Sequence, residues 1–416
     1  MTAVRSTTLA RGRRAVAVLA VLLGPLVAAP AGPAVAGSSD PSRFRLVAIE
    51  VLGPGVEHQI LHRDEPAQVV HVARLAPDMA GRLLPVLAND MLTGPDAGVE
   101  PTSAMCMRVR CLAAVNGDFF DPAGQPIGAM VAGGELLATP RIRHISLRVD
   151  GLGRPTMQPG LDWSVSLTTA DGATLPVTAV NRPLSGEGIT LYSRRWGPTT
   201  GTDAATTEVV VQLPPTLPSF LPSGLSAVTV AQAQAGGNLP IPAGQVVLSS
   251  RGAGAQALTA LSEQDGGVGL LHVSVGSTMS AIGGSPRLLD GGHIDYPADR
   301  QDAFTQGRQP RTAVGITARG EVLLVTADGR GASAGLTLLE AARLLAGLGA
   351  LDAMNLDGGG STTFVTGGSV QNVPSGGSER AVAAALAVVA AGPLDLLAAI
   401  LNQVTDSMAA PLQPAA

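Results

Sequence analysis

The chain contains no lysine, so its basic charge comes entirely from arginine. Schiff-base enzymes and P-loop nucleotide-binding sites both need a lysine, so both are excluded. The net charge of −5 offers no basic surface for nucleic acid, and we expect no nucleic-acid partner.

Aromatic residues make up only 2% of the chain, although 45% of its residues are apolar. The core must therefore be built from Val, Leu, Ile and Ala, and the 52 glycines and 31 prolines favour short strands joined by turns. Residues 312–317 and 322–327 are strand-like, Thr337 and Glu340 form the capping box of a helix, and residues 381–389 fit either a strand or a buried helix. We predict an α+β fold with mixed, largely antiparallel sheets and a few packed helices in a single large domain.

The N-terminus has the layout of a secretory signal peptide. Four arginines precede an apolar stretch at residues 15–29, and the small-residue site Ala34-Val35-Ala36 follows. Gly24-Pro25 interrupts the stretch, which argues against a transmembrane anchor. We predict that residues 1–36 are cleaved and that the protein is secreted, with no membrane span in the mature chain. Whether export uses the general or the twin-arginine route is left open.

The rest of the chain divides into three predicted parts. Residues 37–44 are polar and read as a flexible segment, residues 45–392 form the single domain, and residues 393–416 form a C-terminal helix and a disordered tail. The chain has two cysteines, Cys106 and Cys111, separated by four residues. An exported protein can join them in a disulfide, whereas a zinc site needs more ligands than two thiols provide. We expect no metal site of this kind.

The most informative segment is Asn355-Leu356-Asp357-Gly358-Gly359-Gly360-Ser361-Thr362. Three successive glycines carry an entropic cost and remove side chains that could pack. Such a turn suits a place where backbone passes close to a ligand, or where several N–H groups point at one anion. We expect no cofactor here, with a divalent cation bound to the acidic side chains as the alternative.

Several motifs appear in an order that resembles the phosphodiester glycosidase family, over about residues 45–389. Besides the triple-glycine segment, these motifs are Asn116-Gly117-Asp118-Phe119-Phe120, Ile282-Gly283-Gly284-Ser285-Pro286-Arg287-Leu288, Pro310-Arg311-Thr312-Ala313-Val314-Gly315, Gly335-Leu336-Thr337 and Glu379-Arg380-Ala381-Val382. The first motif of the family usually has a small residue where this chain has Asp118, so the shape or charge of this wall differs.

The resemblance implies a hydrolase that cleaves the bond between a sugar and a phosphodiester, in a sugar-1-phosphodiester or a phosphate-containing glycopolymer of a cell wall or capsule. The catalytic residues it implies are Asp357 as base or nucleophile, Arg311 as phosphate clamp and Glu379 as a second acid/base. Phe119 or Phe120 would form a platform for the sugar. The substrate-binding residues it implies are Asn116, Asp118, Asn355, Gly358, Gly359, Gly360, Ser361, Thr362 and Arg380.

Two other functions stay open at this point. One is a non-catalytic extracellular protein that binds polysaccharide or cell wall on the same fold. The other is a phosphodiesterase that cleaves P–O instead of C–O. Both would keep a site for the anion.

Overall fold

The computed structural model describes residues 43–94, 97–169, 171–215, 221–231, 233–263, 267–295 and 303–390. The predicted signal peptide (1–36), most of the flexible segment (37–44) and the C-terminal helix and tail (393–416) lie outside these ranges. The described residues all fall within one unit, Pro41–Ala416. Within them, no helix combines the length and the apolar content needed to cross a membrane.

Strands dominate this part of the chain: 47% of the described residues lie in strands and 12% in helices. In chain order the strands are β1 (Arg45–Gly53), β2 (Val56–Arg63), β3 (Gln68–Leu75), β4 (Gly81–Leu87), β5 (Cys111–Asn116), β6 (Met130–Ala132), β7 (Glu135–Ala138), β8 (Ile145–Asp150), β9 (Pro155–Pro159), β10 (Ser164–Thr169), β11 (Thr174–Val177), β12 (Ala179–Val180), β13 (Thr190–Tyr192), β14 (Thr207–Gln212), β15 (Gly224–Val230), β16 (Gln234–Ala235), β17 (Gln245–Ser250), β18 (Val268–Ser274), β19 (Thr278–Gly284), β20 (Arg287–Asp290), β21 (His293–Ile294), β22 (Arg311–Thr317), β23 (Val322–Ala327), β24 (Ala350–Asn355), β25 (Phe364–Thr366), β26 (Ser369–Val370) and β27 (Ala384–Ala390). The α-helices are α1 (Thr102–Val109), α2 (Gly252–Ser262), α3 (Ala303–Gln306) and α4 (Leu338–Gly347), and 3-10 turns lie at Ala88–Asp90 and Gly359–Ser361.

The α+β class expected from the sequence is therefore wrong, because the chain folds as a mainly β protein. The helices are short and lie against sheets, whereas much of the core is formed by one sheet packing on another. The ambiguous stretch at 381–389 resolves as strand β27, which pairs on both sides, with β4 and with β5. Its two faces pack on different elements: Leu386 and Val388 lie in a core with residues of β22 and β24, and Ala385 and Ala387 lie in a core with residues of α1.

The described strands form four sheets. We call the sheet β1-β2-β3-β23-β22-β24-β20-β21 the central sheet and the sheet β26-β25-β5-β27-β4 the companion sheet. The other two have the orders β7-β6-β19-β8-β9 and β11-β10-β18-β15-β14-β17-β13-β12, with β16 added to β14. Among the named strands the pairing is antiparallel, apart from the short parallel pair β12–β13.

The central and companion sheets enclose one of the hydrophobic cores. Val314 and Met354 of the central sheet pack there with Val115, Phe364 and Leu386 of the companion sheet, and all five are buried. Helix α4 covers another part of the central sheet, held by the predicted capping box between Thr337 and Glu340. These contacts fix the strand ends from which the site is built.

A buried pair of histidines lies beside this core. His58 Nε2 and His71 Nδ1 are 3.0 Å apart, and the ring of Phe364 packs against both imidazoles. Burial, together with the smaller effect of the neighbouring His58, lowers the pKa of His71 to about 4. Burial also lowers the pKa of His58, although Glu50 opposes that shift. Both rings are therefore held neutral in the folded protein.

This pair predicts a loss of stability in mild acid. Below the ordinary histidine pKa of about 6.5, the unfolded chain binds protons that the folded chain does not, so the free energy of unfolding falls as the pH drops towards 4. Between the ordinary histidine pKa of about 6.5 and pH 4, the free energy of unfolding of His71→Gln should fall by up to about 3 kcal/mol less than that of the wild type, so its slope with pH is shallower. One pKa unit corresponds to about 1.4 kcal/mol. Urea unfolding at a series of pH values measures it.

The exposed His272 provides the control. His272→Gln should leave the slope unchanged. A His71→Gln protein with the wild-type slope would contradict the assignment, whatever its absolute stability.

Candidate functional site

The site is placed by the register between β22 and β24. Ala313 lies opposite Asn355 in this antiparallel pair, so Arg311 at the start of β22 falls beside Asp357, two residues after the end of β24. The pairing continues beyond the strands, because Gly359 N–H donates to the carbonyl of Pro310 at 2.8 Å. The Pro-Arg-Thr segment and the triple-glycine turn are therefore in direct contact.

Three glycines from two segments pack onto Gln309 and Pro310. A Cβ on Gly329 would lie 2.7 Å from Pro310 N, one on Gly335 2.8 Å from Gln309 N, and one on Gly358 2.9 Å from Pro310 O. Real Cβ atoms do not approach backbone so closely, so these positions need glycine for packing. The close approach brings the loop after β23 and the turn after β24 around the same short backbone segment.

Asp357 is the carboxylate of this turn. Its Oδ2 accepts a hydrogen bond from Ser361 Oγ at 2.5 Å, and its Oδ1 accepts one from Gly358 N–H at 3.0 Å. Arg380 Nη2 lies 3.3 Å from Oδ2. Burial raises the pKa of Asp357, while the Ser361 hydrogen bond, Arg380 and the Gly358 N–H oppose the shift and the nearby Asp118 adds to it.

A cavity of about 320 Å³ opens beside this carboxylate. Its walls carry one acidic side chain, two arginines, one carboxamide, two aromatic rings and two glycines: Asp357, Arg311, Arg330, Gln309, Phe119, Phe304, Gly358 and Gly359. The ring centroids of Phe119 and Phe304 are 5.9 Å apart in an edge-to-face arrangement. The pocket lining thus combines aromatic rings with charged and amide side chains, and the guanidinium of Arg311 lies against the Phe304 ring.

Arg311 reaches the pocket wall, but much of its hydrogen bonding is directed into the protein. Its Nε donates to the carbonyl of Leu336 at 2.9 Å, and its Nη2 donates to the carbonyls of Gly307 at 2.9 Å and Phe304 at 2.5 Å. The guanidinium carbon lies 4.9 Å from the centroid of the Phe304 ring. Arg311 therefore holds the segment that carries Phe304 in place.

Asn116 ties the companion sheet to the site. Its Nδ2 donates to the backbone carbonyl of Asp357 at 2.6 Å, and its Oδ1 accepts from Thr312 Oγ1 at 2.7 Å and Thr363 N–H at 3.1 Å. The side chain is fully buried. The structure thus uses Asn116 as a strut under the triple-glycine turn, where sequence reasoning expected a sugar ligand.

The predicted nest of amides is largely filled by the protein itself. The N–H groups of Gly358 and Gly359 donate to Asp357 and Pro310. The hydroxyl of Ser361 is bound to Asp357, and Thr362 is buried against Thr312. These groups hold the turn together, so an incoming anion has to be met mainly by side chains.

Three other predicted residues do not line this cavity. Glu379 accepts hydrogen bonds from the N–H of Ser103 at 2.8 Å and its Oγ at 2.5 Å, at the start of α1. Asp118 is buried, and its carboxylate accepts from the N–H groups of Gly128 and Phe119. Asn355 donates to the carbonyls of neighbouring backbone, Ser285 and Leu356. The geometry makes all three structural supports.

Cys106 and Cys111 form a disulfide with their Cα atoms 4.9 Å apart. The bond joins the end region of α1 to the start of β5, the strand that ends at Asn116. No group of three or more His, Cys, Asp or Glu side chains in the described ranges is placed to hold a metal ion.

Sequence reasoning missed Gln309, Arg330 and Phe304. A signal for Arg330 was present, because β23 pairs with β22 and Ala327 lies opposite Arg311. Residues just after β23 must therefore lie at the same sheet edge as Arg311, and pairing the two strand-like stretches at 312–317 and 322–327 as a hairpin would have indicated this. Phe304 carried no such signal, since its segment meets the pocket through tertiary contacts with Arg311 and with the ring of Phe119.

Residues 225–389 match the sequence model of a family described as NAGPA, phosphodiester glycosidase. The resemblance to the phosphodiester glycosidase family is confirmed. The matched range contains Arg311, Arg330, Asp357 and Arg380, whereas the motif at 116–120 precedes it.

Several known proteins are similar to this chain, each over a different share of its length. Mouse N-acetylglucosamine-1-phosphodiester alpha-N-acetylglucosaminidase is 43% identical over 72 residues, which is 17% of this chain and 14% of the mouse protein. A Burkholderia pseudomallei protein described as exported has a TM-score of 0.60 at 28% identity, over 78% of this chain and 74% of that one. A hypothetical protein from Synechocystis has a TM-score of 0.61 at 24% identity, over 80% and 62%, and shows the fold alone.

The strut role of Asn116 predicts a stability effect. Asn116→Ala should lower the free energy of unfolding by about 2–4 kcal/mol, because three buried polar groups lose a partner. Gln371→Ala, which removes an exposed carboxamide with one hydrogen bond, is the matched control and should change little. Denaturant unfolding measures both, and equal stability of the two variants would contradict the strut.

Proposed function

We propose that this protein is a hydrolase that cleaves the glycosidic bond of a sugar-1-phosphodiester. The observation that carries the proposal is Asp357, a carboxylate in a pocket that is also lined by two arginines and two phenylalanines. The segment that builds this pocket lies mostly inside the range that matches the phosphodiester glycosidase family. The mouse relative is named for cleavage of this type of bond.

The number of acidic groups in the pocket suits this bond. Ordinary glycosidases use two carboxylates, one of them as an acid that protonates the leaving oxygen. A phosphate monoester is a stable anion, so it can leave with little protonation. Asp357 is the one acidic residue among those that line the pocket, and Glu379 is occupied at Ser103. A single carboxylate is therefore sufficient for the proposed reaction.

The surroundings of Asp357 fit a base or a nucleophile at the anomeric carbon. Burial raises its pKa, which makes the carboxylate a better proton acceptor. A carboxylate next to a phosphodiester also experiences repulsion, and Arg380 at 3.3 Å offsets it. Ser361 and Gly358 hold the two oxygens in a fixed direction. The rings of Phe119 and Phe304 would receive the apolar face of the sugar.

We further propose that the protein acts outside the cell, on a phosphate-containing glycopolymer of a wall or capsule. The N-terminal sequence layout and the Cys106–Cys111 disulfide support export, and a structural relative is described as exported. A pocket lined by both aromatic and charged side chains fits one repeat of such a polymer.

Replacing the carboxylate tests the reaction. Asp357→Asn should reduce release of free sugar from a synthetic sugar-1-phosphodiester by about 10³-fold or more, since the neutral amide is neither base nor nucleophile. The amide keeps an acceptor for Ser361, so folding should be preserved, and circular dichroism checks it. The control is Asp162→Asn, because the Asp162 carboxylate is 83% exposed and does not line the pocket. Full turnover by Asp357→Asn would remove this residue from the mechanism.

The bond that breaks is identified by hydrolysis in ¹⁸O-labelled water. We expect the label in the sugar, because water or Asp357 attacks the anomeric carbon. Label in the phosphate product would instead identify a phosphodiesterase. Binding of the polymer without any turnover would favour the non-catalytic alternative.

A further inference from the structure

Arg330 differs from the other arginines near the pocket in how its charge is balanced. Arg380 lies beside the Asp357 carboxylate, and Arg308 is paired with Glu340 at 2.5 Å. Arg330 donates from Nη2 to the neutral Oε1 of Gln309 at 2.8 Å, and no described carboxylate lies within salt-bridge distance of it. Its side chain is exposed and lines the cavity. A full positive charge therefore faces the site.

The backbone at Arg330 is held in a strained conformation. Its φ of 63° lies in the left-handed region, which costs a residue with a Cβ about 1 kcal/mol or more. Such strain persists only where the surroundings enforce it, and it is concentrated at functional sites. Here the preceding Gly329 packs on Pro310, and the carboxylate of Asp328 accepts the N–H of Val373. Both contacts fix the loop from which Arg330 projects.

The space in front of Arg330 is open because the turn opposite it lacks side chains. A Cβ added to Gly359 would lie 3.7 Å from Arg330 Nη2, and one added to Gly360 would lie 3.3 Å from Arg380 Nη1. The two guanidinium groups thus approach successive glycines of one turn. An anion resting on this turn can reach Arg330 while Asp357 stays on the side of Arg380.

We propose that Arg330 is the main anion-binding side chain of the pocket, that it takes a non-bridging oxygen of the substrate's phosphate, and that Gln309 aims its guanidinium. This rests on the proposed function, and it moves the phosphate contact from Arg311 to a residue outside the recognised motifs. Arg311 then acts as a positioning residue for Phe304, to whose carbonyl it donates. Arg380 balances the charge of Asp357 during the reaction.

Binding and turnover are measured separately. Isothermal titration calorimetry with inorganic phosphate and with methyl phosphate follows anion binding, and sugar release from a synthetic sugar-1-phosphodiester follows turnover. Arg330→Gln should weaken the binding of both anions at least about tenfold, because a charge-assisted hydrogen bond is lost. Arg319→Gln, at an exposed arginine near Glu321, removes the same charge elsewhere and should leave binding unchanged.

Arg330→Gly separates loss of the guanidinium from loss of the fold. Glycine accepts a φ of 63° without strain, so this variant should unfold at the same temperature as the wild type or higher, while its anion binding is lost like that of Arg330→Gln. Gln309→Ala should weaken the binding of methyl phosphate by a smaller factor, because the positive charge of Arg330 remains in the pocket.

The outcomes distinguish this inference from the proposed function. Wild-type turnover together with unchanged anion affinity in Arg330→Gln would overturn the inference and leave the function standing. Anion binding that depends on Arg330, with no turnover of any sugar-1-phosphodiester, would overturn the function and leave the inference standing. Failure of the wild type to bind either anion at millimolar concentration would overturn the inference outright.

Discussion

The antiparallel pairing of β22 with β24 is the constraint on which the site depends. It places Ala313 opposite Asn355, and the hydrogen bond from Gly359 to Pro310 carries the same alignment into the turn. A shift of one residue would turn every side chain of β22 to the other face of the sheet. The buried Val314 and Met354 oppose such a shift, so the core between the sheets sets the geometry of the pocket.

The glycines at this site allow close backbone packing and an unusual backbone conformation. Their N–H groups do not form a simple anion-binding site. Gly329 and Gly335 in the loop after β23, and Gly358 in the turn after β24, allow these two segments to touch Gln309 and Pro310. Gly359 adopts a φ of 63°, which the turn requires. The N–H groups of Gly358 and Gly359 donate within the protein and hold the turn in place. Arginine side chains therefore supply the positive charge that lines the pocket.

The strand content of this protein was largely readable from its sequence. The predicted strands at 312–317 and 322–327 are present as β22 and β23, and the Thr337–Glu340 capping box begins α4 as expected. These are local patterns, since a period of two or a cap depends on residues a few positions apart. The fold class was missed because it depends on which sheets pack together, and local patterns do not report on that.

Composition and motifs alone determined that lysine chemistry is excluded, that short strands dominate locally and that Asp357 stands at a special turn. The roles of the surrounding residues were decided only by the tertiary structure. Asn116 became a strut and Glu379 a partner of Ser103, because each finds hydrogen-bond partners that are distant in the chain. Arg330 lines the pocket because the neighbouring Gly329 packs closely on the backbone of Pro310. Side-chain direction depends on such long-range contacts, and a linear sequence does not contain their geometry.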